Sequence, residues 1–123
     1  MNFLANVSSY PVYPGIFQLT LVKNSGVAFG LFKGYSIPVT IATIAMIVGL
    51  LWSLIRRSES KRFLFSLSFA FILGGAAGNL IDRFRFGGVI DFLDFRVWPV
   101  FNVADSCITI GAALLAWQIL RYN

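Results

Sequence analysis

Two long runs without a charge constrain this chain more than any other feature. Ile37 to Ile55 and Phe63 to Ile81 are each 19 residues long and hold no Asp, Glu, Lys or Arg. At about 1.5 Å per helical residue, such a run reaches about 30 Å, the thickness of a bilayer's hydrocarbon core. Pro38 falls in the first turn of the first run, where its missing N–H removes no helical bond. The second run contains Gly74-Gly75-Ala76-Ala77-Gly78, a GxxxG face that lets another backbone approach. A third run, Val100 to Leu120, is broken only by Asp105 and by the polar Asn102, Ser106, Thr109 and Gln118. Only 12% of the 123 residues are charged, against about 25% in soluble domains. The chain reads as a single membrane domain over 1–123, mainly α-helical, with transmembrane helices at about 37–55, 63–81 and 103–120.

Outside these runs the pattern changes period. Tyr10-Pro11-Val12-Tyr13-Pro14-Gly15 is turn-like, because proline fixes φ and lacks a donor. In Phe17 to Val22, Phe17, Leu19 and Leu21 alternate with Gln18 and Thr20, the mark of a half-buried strand. Asp82 to Pro99 is polar and aromatic, with a Gly87-Gly88 turn between strand-like segments. A small β-sheet is therefore expected from about 17–29 and 84–97. Residues 1–22 do not read as a signal peptide, since no basic residue precedes Lys23. The short 56–62 loop carries Arg56, Arg57, Lys61 and Arg62, and Arg121 lies on the same side. The positive-inside rule makes that side cytoplasmic, with the C-terminus, and places the sheet outside the cell membrane.

The chain has five acidic residues, and four of them, Asp82, Asp91, Asp94 and Asp105, fall within 74–111. A carboxylate beside hydrocarbon persists only if it is paired, wetted or used. Asp82, followed by Arg83, reads as half of an ion pair at a helix end. In Asp91-Phe92-Leu93-Asp94-Phe95-Arg96, a strand period of two puts Asp91 with Leu93 and Phe95. Asp94 then falls on the opposite, solvated face beside Arg96. Asp105 reads in two ways: as a cap or first-turn acid favoured by the helix dipole, or as the partner of Asp91. Two facing carboxylates cannot both ionise easily, so one stays protonated. The ionised member can take a proton from water while the other donates to a carbonyl oxygen, which hydrolyses an amide. Asn24, Asn79 and Asn102 lie near the same boundary. They serve either to satisfy helix-terminal backbone groups or to hydrogen-bond a substrate backbone.

Several classes of chemistry drop out. With no histidine there is no Ser-His-Asp triad, Cys-His pair or histidine-ligated metal, and no cofactor or metal is implied. The single cysteine, Cys107, reads as a small apolar packing group. The net charge of +5 is not gathered on one basic face, so nucleic acid is not an expected partner. A reading from another class remains: a small transporter or channel subunit using Asp91 and Asp105 as proton or cation sites.

Four blocks, in order, resemble bacterial lipoprotein signal peptidase, or signal peptidase II. They are Lys23-Asn24-Ser25-Gly26-Val27-Ala28-Phe29-Gly30, Gly75-Ala76-Ala77-Gly78-Asn79-Leu80-Ile81-Asp82-Arg83, Val89-Ile90-Asp91-Phe92, and Phe101-Asn102-Val103-Ala104-Asp105-Ser106. The resemblance runs from about Pro11 to Trp117. It implies an aspartyl endopeptidase of the bacterial inner membrane that cuts a prolipoprotein just before its diacylglyceryl-modified cysteine. It implies Asp91 and Asp105 as the catalytic pair and Asn24, Asn79, Arg83 and Asn102 as residues that contact substrate. Asp82 and Gly78 would be structural. Membrane lipid and globomycin-like cyclic peptides are the further partners it implies, with the site at the extracytoplasmic face. Members of that family usually carry four transmembrane helices, whereas three spans are read here. An inactive relative that binds lipopeptides without cutting them is the remaining alternative.

Overall fold

The computed structural model describes residues 9–24, 36–56, 63–97 and 99–122. Among these residues, three strands and three helices follow in the order β1 (Ser9–Tyr13), β2 (Phe17–Asn24), α1 (Ser36–Arg56), α2 (Phe63–Phe86), β3 (Val89–Asp94) and α3 (Val103–Tyr122). All three helices are long and apolar enough to cross a membrane. The expected spans are therefore present, and α1 and α2 are longer than their apolar runs.

The largest extension is at α2, which continues through Asp82, Arg83, Phe84 and Arg85 to Phe86. Charge does not end a helix. A cap does, and here it is Gly87, which takes a φ of 74° that a side chain would resist. Its N–H closes the last turn on the Arg83 carbonyl at 3.0 Å. Residues 84–86, expected in the sheet, are helical for this reason. Arg83 and Arg85 in the last turn also suit the negative end of the helix dipole.

The sheet is antiparallel, in the order β1-β2-β3. β1 corrects the turn-like reading of residues 10–15. Its one proline, Pro11, is tolerated because β1 is an edge strand. The turn itself is Tyr13-Pro14-Gly15-Ile16, closed by Ile16 N–H to Tyr13 O at 3.0 Å, with Gly15 at φ 79°. Proline followed by a positive-φ glycine is the pattern of a type II turn. The expected strand residues 25–29 lie outside the described residues. Residues 95–97, also expected in the sheet, form a turn instead.

α2 is the central helix. Phe65, Ser68, Phe69, Ile72, Gly75, Ala76, Asn79 and Arg83 are buried along it, spaced three and four apart. One stripe thus begins as core and ends as two polar residues beside β3. α3 packs along this stripe. A Cβ on Gly75 would strike the Ala104 carbonyl oxygen, and one on Gly111 would lie 2.7 Å from the Ser68 carbonyl oxygen. The close approach therefore uses Gly75 and Gly111, not the Gly74/Gly78 pair that the GxxxG spacing suggested. Gly74 faces open space, and Gly78 has ordinary clearance of 3.5 Å to Ala104 Cβ. α1 buries only Val39 among its residues and exposes Ile41, Val48, Trp52 and Ile55. That face suits lipid rather than water.

Away from the sheet, the α2–α3 contact holds a polar clamp. Gln118 Nε2 donates to Ser68 Oγ at 2.8 Å and to Leu114 O at 2.9 Å, and Ser68 Oγ donates to Leu64 O at 2.8 Å. Side-chain bonds between membrane helices contribute only about 0.6 kcal/mol on average. Gln118→Leu is accordingly expected to lower stability by about 1 kcal/mol, read by thermal unfolding in detergent, and to leave the sheet end of the molecule unchanged.

Candidate active site

Three elements meet where the stripe of α2 reaches β3 and the start of α3. Asp91, Asn79, Asn102 and Asp105 are all buried there, at 2%, 6%, 4% and 2% exposure. Four polar side chains at this depth need partners, and they find one another. Asn79 Nδ2 donates to Asp105 Oδ1 at 3.0 Å. Asn102 Nδ2 donates to Asp91 Oδ1 at 3.0 Å and to Asn79 Oδ1 at 3.1 Å, with a longer contact of 3.3 Å to Ile90 O. The two carboxylates are thus joined through a pair of asparagines.

Asp105 is fixed by local helix chemistry. Asn102 caps α3: its Oδ1 accepts the Asp105 N–H at 2.9 Å, and Asp105 Oδ2 accepts the Asn102 N–H at 3.4 Å. This is a reciprocal capping box. The cap reading of Asp105 therefore holds, and Asn79 and Asn102 stand between it and Asp91. Asp105 is a first-turn acid, and the cap is what aims it at Asn79. Asp91 is fixed by strand phase. Val89 and Asp91 are buried on one side of β3, and Val22 pairs with Asp91 in β2.

Arg83 is buried one turn beyond Asn79 and interacts electrostatically with Asp105 and Asp91. Its Nη1 lies 3.5 Å from Thr43 Oγ1, which links the site to α1. Asp82 points elsewhere, accepting the Ile90 N–H at 3.2 Å and so tying the end of α2 to β3. Gly78 rests against Ala104, next to Asp105. Asn24 pairs with Val89 at the end of β2, and its side chain lies outside the described residues. The fold thus gathers Asn79, Arg83, Asp91, Asn102 and Asp105.

Asp94 departs from its expected solvated position. It is 8% exposed, because Gln18 and Thr20 of β2 face it. Its Oδ2 accepts Gln18 Nε2 at 2.9 Å and Thr20 Oγ1 at 2.8 Å, and its Oδ1 accepts the Arg96 N–H at 2.8 Å. Gln18 and Thr20 share one face of β2, and the strand register sets that face against Asp94. Burial works to raise the Asp94 carboxyl. The bonds from Arg96 N–H, Thr20 and Gln18 and the Arg96 charge outweigh it and hold the group below the usual carboxylate range. A depressed folded-state pKa gives stability that is full above the unfolded value, about 3.9, and is lost as pH falls through the lower folded value. The melting difference between the parent and Asp94→Asn is therefore expected to stay level from about pH 8 to 5 and to shrink below about pH 4.

The chain has relatives of known name. A model of the signal peptidase (SPase) II family matches residues 1–121. The lipoprotein signal peptidase of Moorella thermoacetica is 46% identical over 119 residues, covering 97% of this chain and 78% of that protein. That of Halothermothrix orenii is 48% identical over 113 residues, covering 89% and 77%. A bacterial membrane enzyme solved by the in meso method at 2.3 Å superposes with a TM-score of 0.83 at 32% identity, over 92% of this chain and 71% of that one. A stripe of α2 that ends in buried polar residues, a capped acid on α3 and a match along nearly the whole sequence agree: this chain belongs to the signal peptidase II family of aspartic peptidases.

Proposed function

We propose that this chain hydrolyses the peptide bond before the diacylglyceryl-modified cysteine of a prolipoprotein, with Asp91 and Asp105 as the catalytic pair. The observation that carries the proposal is the asparagine bridge. Asn102 and Asn79 hold two buried carboxylates together at one end of a membrane bundle. Outside a functional site, such a cluster is a poor exchange for apolar packing.

Hydrolysis needs one ionised and one protonated carboxyl. The ionised member takes a proton from a water whose oxygen attacks the scissile carbonyl carbon. The protonated member gives its proton to the carbonyl oxygen. The tetrahedral adduct then collapses, the C–N bond breaks, and the amine leaves with a proton from the pair. Amide donors from Asn79 and Asn102 hold one oxygen of each acid, and Asp105 Oδ2 also accepts the Asn102 N–H, so the pair is oriented before substrate arrives. Arg83 offsets the negative charge nearby. Asn24, Asn79, Arg83 and Asn102 would also contact the substrate backbone, and Asp82 and Gly78 would support the site. The site would lie at the extracytoplasmic face of the inner membrane, with the basic 56–62 segment and the C-terminus in the cytoplasm. Membrane lipid would cover the apolar faces, and globomycin-like cyclic peptides would compete for the site.

A transporter would need a polar route between the membrane faces. Phe69, Ile72 and Ala76 are buried between the site and the Ser68–Gln118 clamp, and Gly75 and Gly111 close the same contact. The geometry does not favour that reading.

The test compares diacylglyceryl-modified prolipoprotein with the same proprotein lacking the lipid, in detergent, with product masses as the readout. Cleavage before the lipidated cysteine of the modified substrate alone supports the proposal. Equal cleavage of both, or of neither, refutes it.

A further inference from the structure

We infer that Asp94 is a positioning residue for the Asp91–Asn102–Asp105 site, holding in place the segment that delivers Asn102. The inference rests on the hydrolytic reading of that site and adds a residue to it.

Asp94 cannot serve as a third reacting acid in this arrangement. Both of its oxygens are taken, by Gln18, Thr20 and the Arg96 N–H. What those bonds hold is unusual. Arg96 has a φ of 73°, rare for a residue with a side chain. The Val97 N–H bonds Phe95 O at 2.9 Å across it, closing a γ-turn of the uncommon, strained kind. A strained turn persists only where its surroundings over-determine it. Asp94 does so from one side through the Arg96 amide. Gln18 does so from the other, its Oε1 accepting Arg96 Nη1 at 3.1 Å.

The turn controls where the chain goes next. It places the Phe95 ring 4.8 Å from Phe17 and 6.0 Å from Phe101, centre to centre. The Phe101 carbonyl accepts the N–H groups of Phe92 and Leu93 at 2.9 and 2.8 Å, and the Phe101 N–H donates to Leu93 O at 3.1 Å. Phe101 is the residue before Asn102, and Leu93 lies two residues after Asp91. A single bridge therefore sets the spacing between the strand that carries Asp91 and the cap that carries Asn102. Asp94 anchors one end of that bridge to β2. Asn102 in turn bonds both acids, so a shift in Phe101 reaches the reacting groups without any contact between Asp94 and substrate.

The chemistry of the cluster supplies a rescue. In Asp94→Asn, an NH2 group stands where one carboxylate oxygen was. If it faces the Gln18 amide nitrogen, two donors meet. If Gln18 turns over to present its oxygen, the Arg96 Nη1 bond is lost. Adding Gln18→Glu returns one carboxylate to the cluster, able to accept both from the new amide at position 94 and from Arg96. Two readouts decide the matter: kcat and KM on the lipid-modified prolipoprotein, and amide hydrogen exchange along the chain. Asp94→Asn is expected to lower kcat about tenfold to a hundredfold with KM within about threefold. Exchange at Phe92, Leu93, Phe101 and Asn102 is expected to quicken while residues 65–76 of α2 keep parental protection. The double variant is expected to return to within about threefold of parental kcat and to restore that protection. A parental kcat in Asp94→Asn, quickened exchange spread evenly over α2, or a double variant no better than the single one would overturn the inference. Should the parent itself fail to cut lipid-modified substrate, the hydrolytic reading falls, and the exchange pattern still decides whether Asp94 holds the segment.

Discussion

Asp105→Asn is expected to reduce cleavage of lipid-modified prolipoprotein by about a hundredfold to ten-thousandfold, the usual contribution of a positioned acid or base. Asp91→Asn is expected to do the same. The size of the effect follows from the need for a proton to be taken and another given, which a neutral amide cannot do. The fold should survive. Asn keeps the shape of Asp and one acceptor oxygen, so the Asn79 donor or the Asn102 N–H still finds a partner. The loss in stability is expected to be about 1 kcal/mol, the size of one hydrogen bond. Cleavage rate and thermal unfolding, measured on the same samples, separate the two effects. A variant that melts like the parent and still cuts within threefold of its rate, by about 0.7 kcal/mol of barrier, would remove that aspartate from the chemistry.

Gly75→Ala is expected to harm both stability and activity, although it adds a single methyl group. That methyl would meet the Ala104 carbonyl oxygen and Ile108 Cγ1, the latter at 2.7 Å. These contacts lie inside normal packing distances, and one is backbone, so α3 must move. Overpacking of this kind costs about 1–3 kcal/mol. Ala104 precedes Asp105, so the movement displaces the acid itself, and displacement near 1 Å can cost about a hundredfold in rate. Gly111→Ala meets Ser68 O and Ile72 Cγ1, each at 2.7 Å, and is expected to lose similar stability with less effect on rate, because it lies farther along α3. Gly74→Ala and Gly49→Ala meet nothing within 4 Å. They are expected to be neutral or to stabilise by up to about 1 kcal/mol, through the better helix propensity of alanine. Unfolding temperature and cleavage rate across the four variants check the pattern.

The three spans were legible because hydropathy and length alone decide them. The acids were legible because carboxylates beside apolar runs demand an explanation. Helix ends were less so. The apolar run of α2 stops at Ile81, where charge begins, but the helix stops at Gly87, where the backbone needs a positive φ. The turn-like prolines hid β1, because an edge strand tolerates residues that a central strand does not. A strand period of two assigns faces but not what covers them, which is why Asp94 reads as solvated from sequence. Gln18 and Thr20 cover that face, and the pairing emerges only once the register of β2 against β3 is known. The Gly74/Gly78 spacing failed for a related reason. Sequence spacing says which residues share a face of α2, but only the packing of α3 says that Gly75 is the one beneath it.

The central claim is that Asp91 and Asp105, held by Asn79 and Asn102, act on a peptide bond placed between them. The most direct measurement is a structure of the chain with a lipid-modified peptide whose scissile carbonyl is replaced by a tetrahedral hydroxyl-bearing carbon. The account predicts that hydroxyl within hydrogen-bond reach of both carboxylates, about 2.5–3.0 Å from an oxygen of each. A peptide bound with its hydroxyl away from either aspartate, or seated against the Asp94 cluster instead, would contradict it.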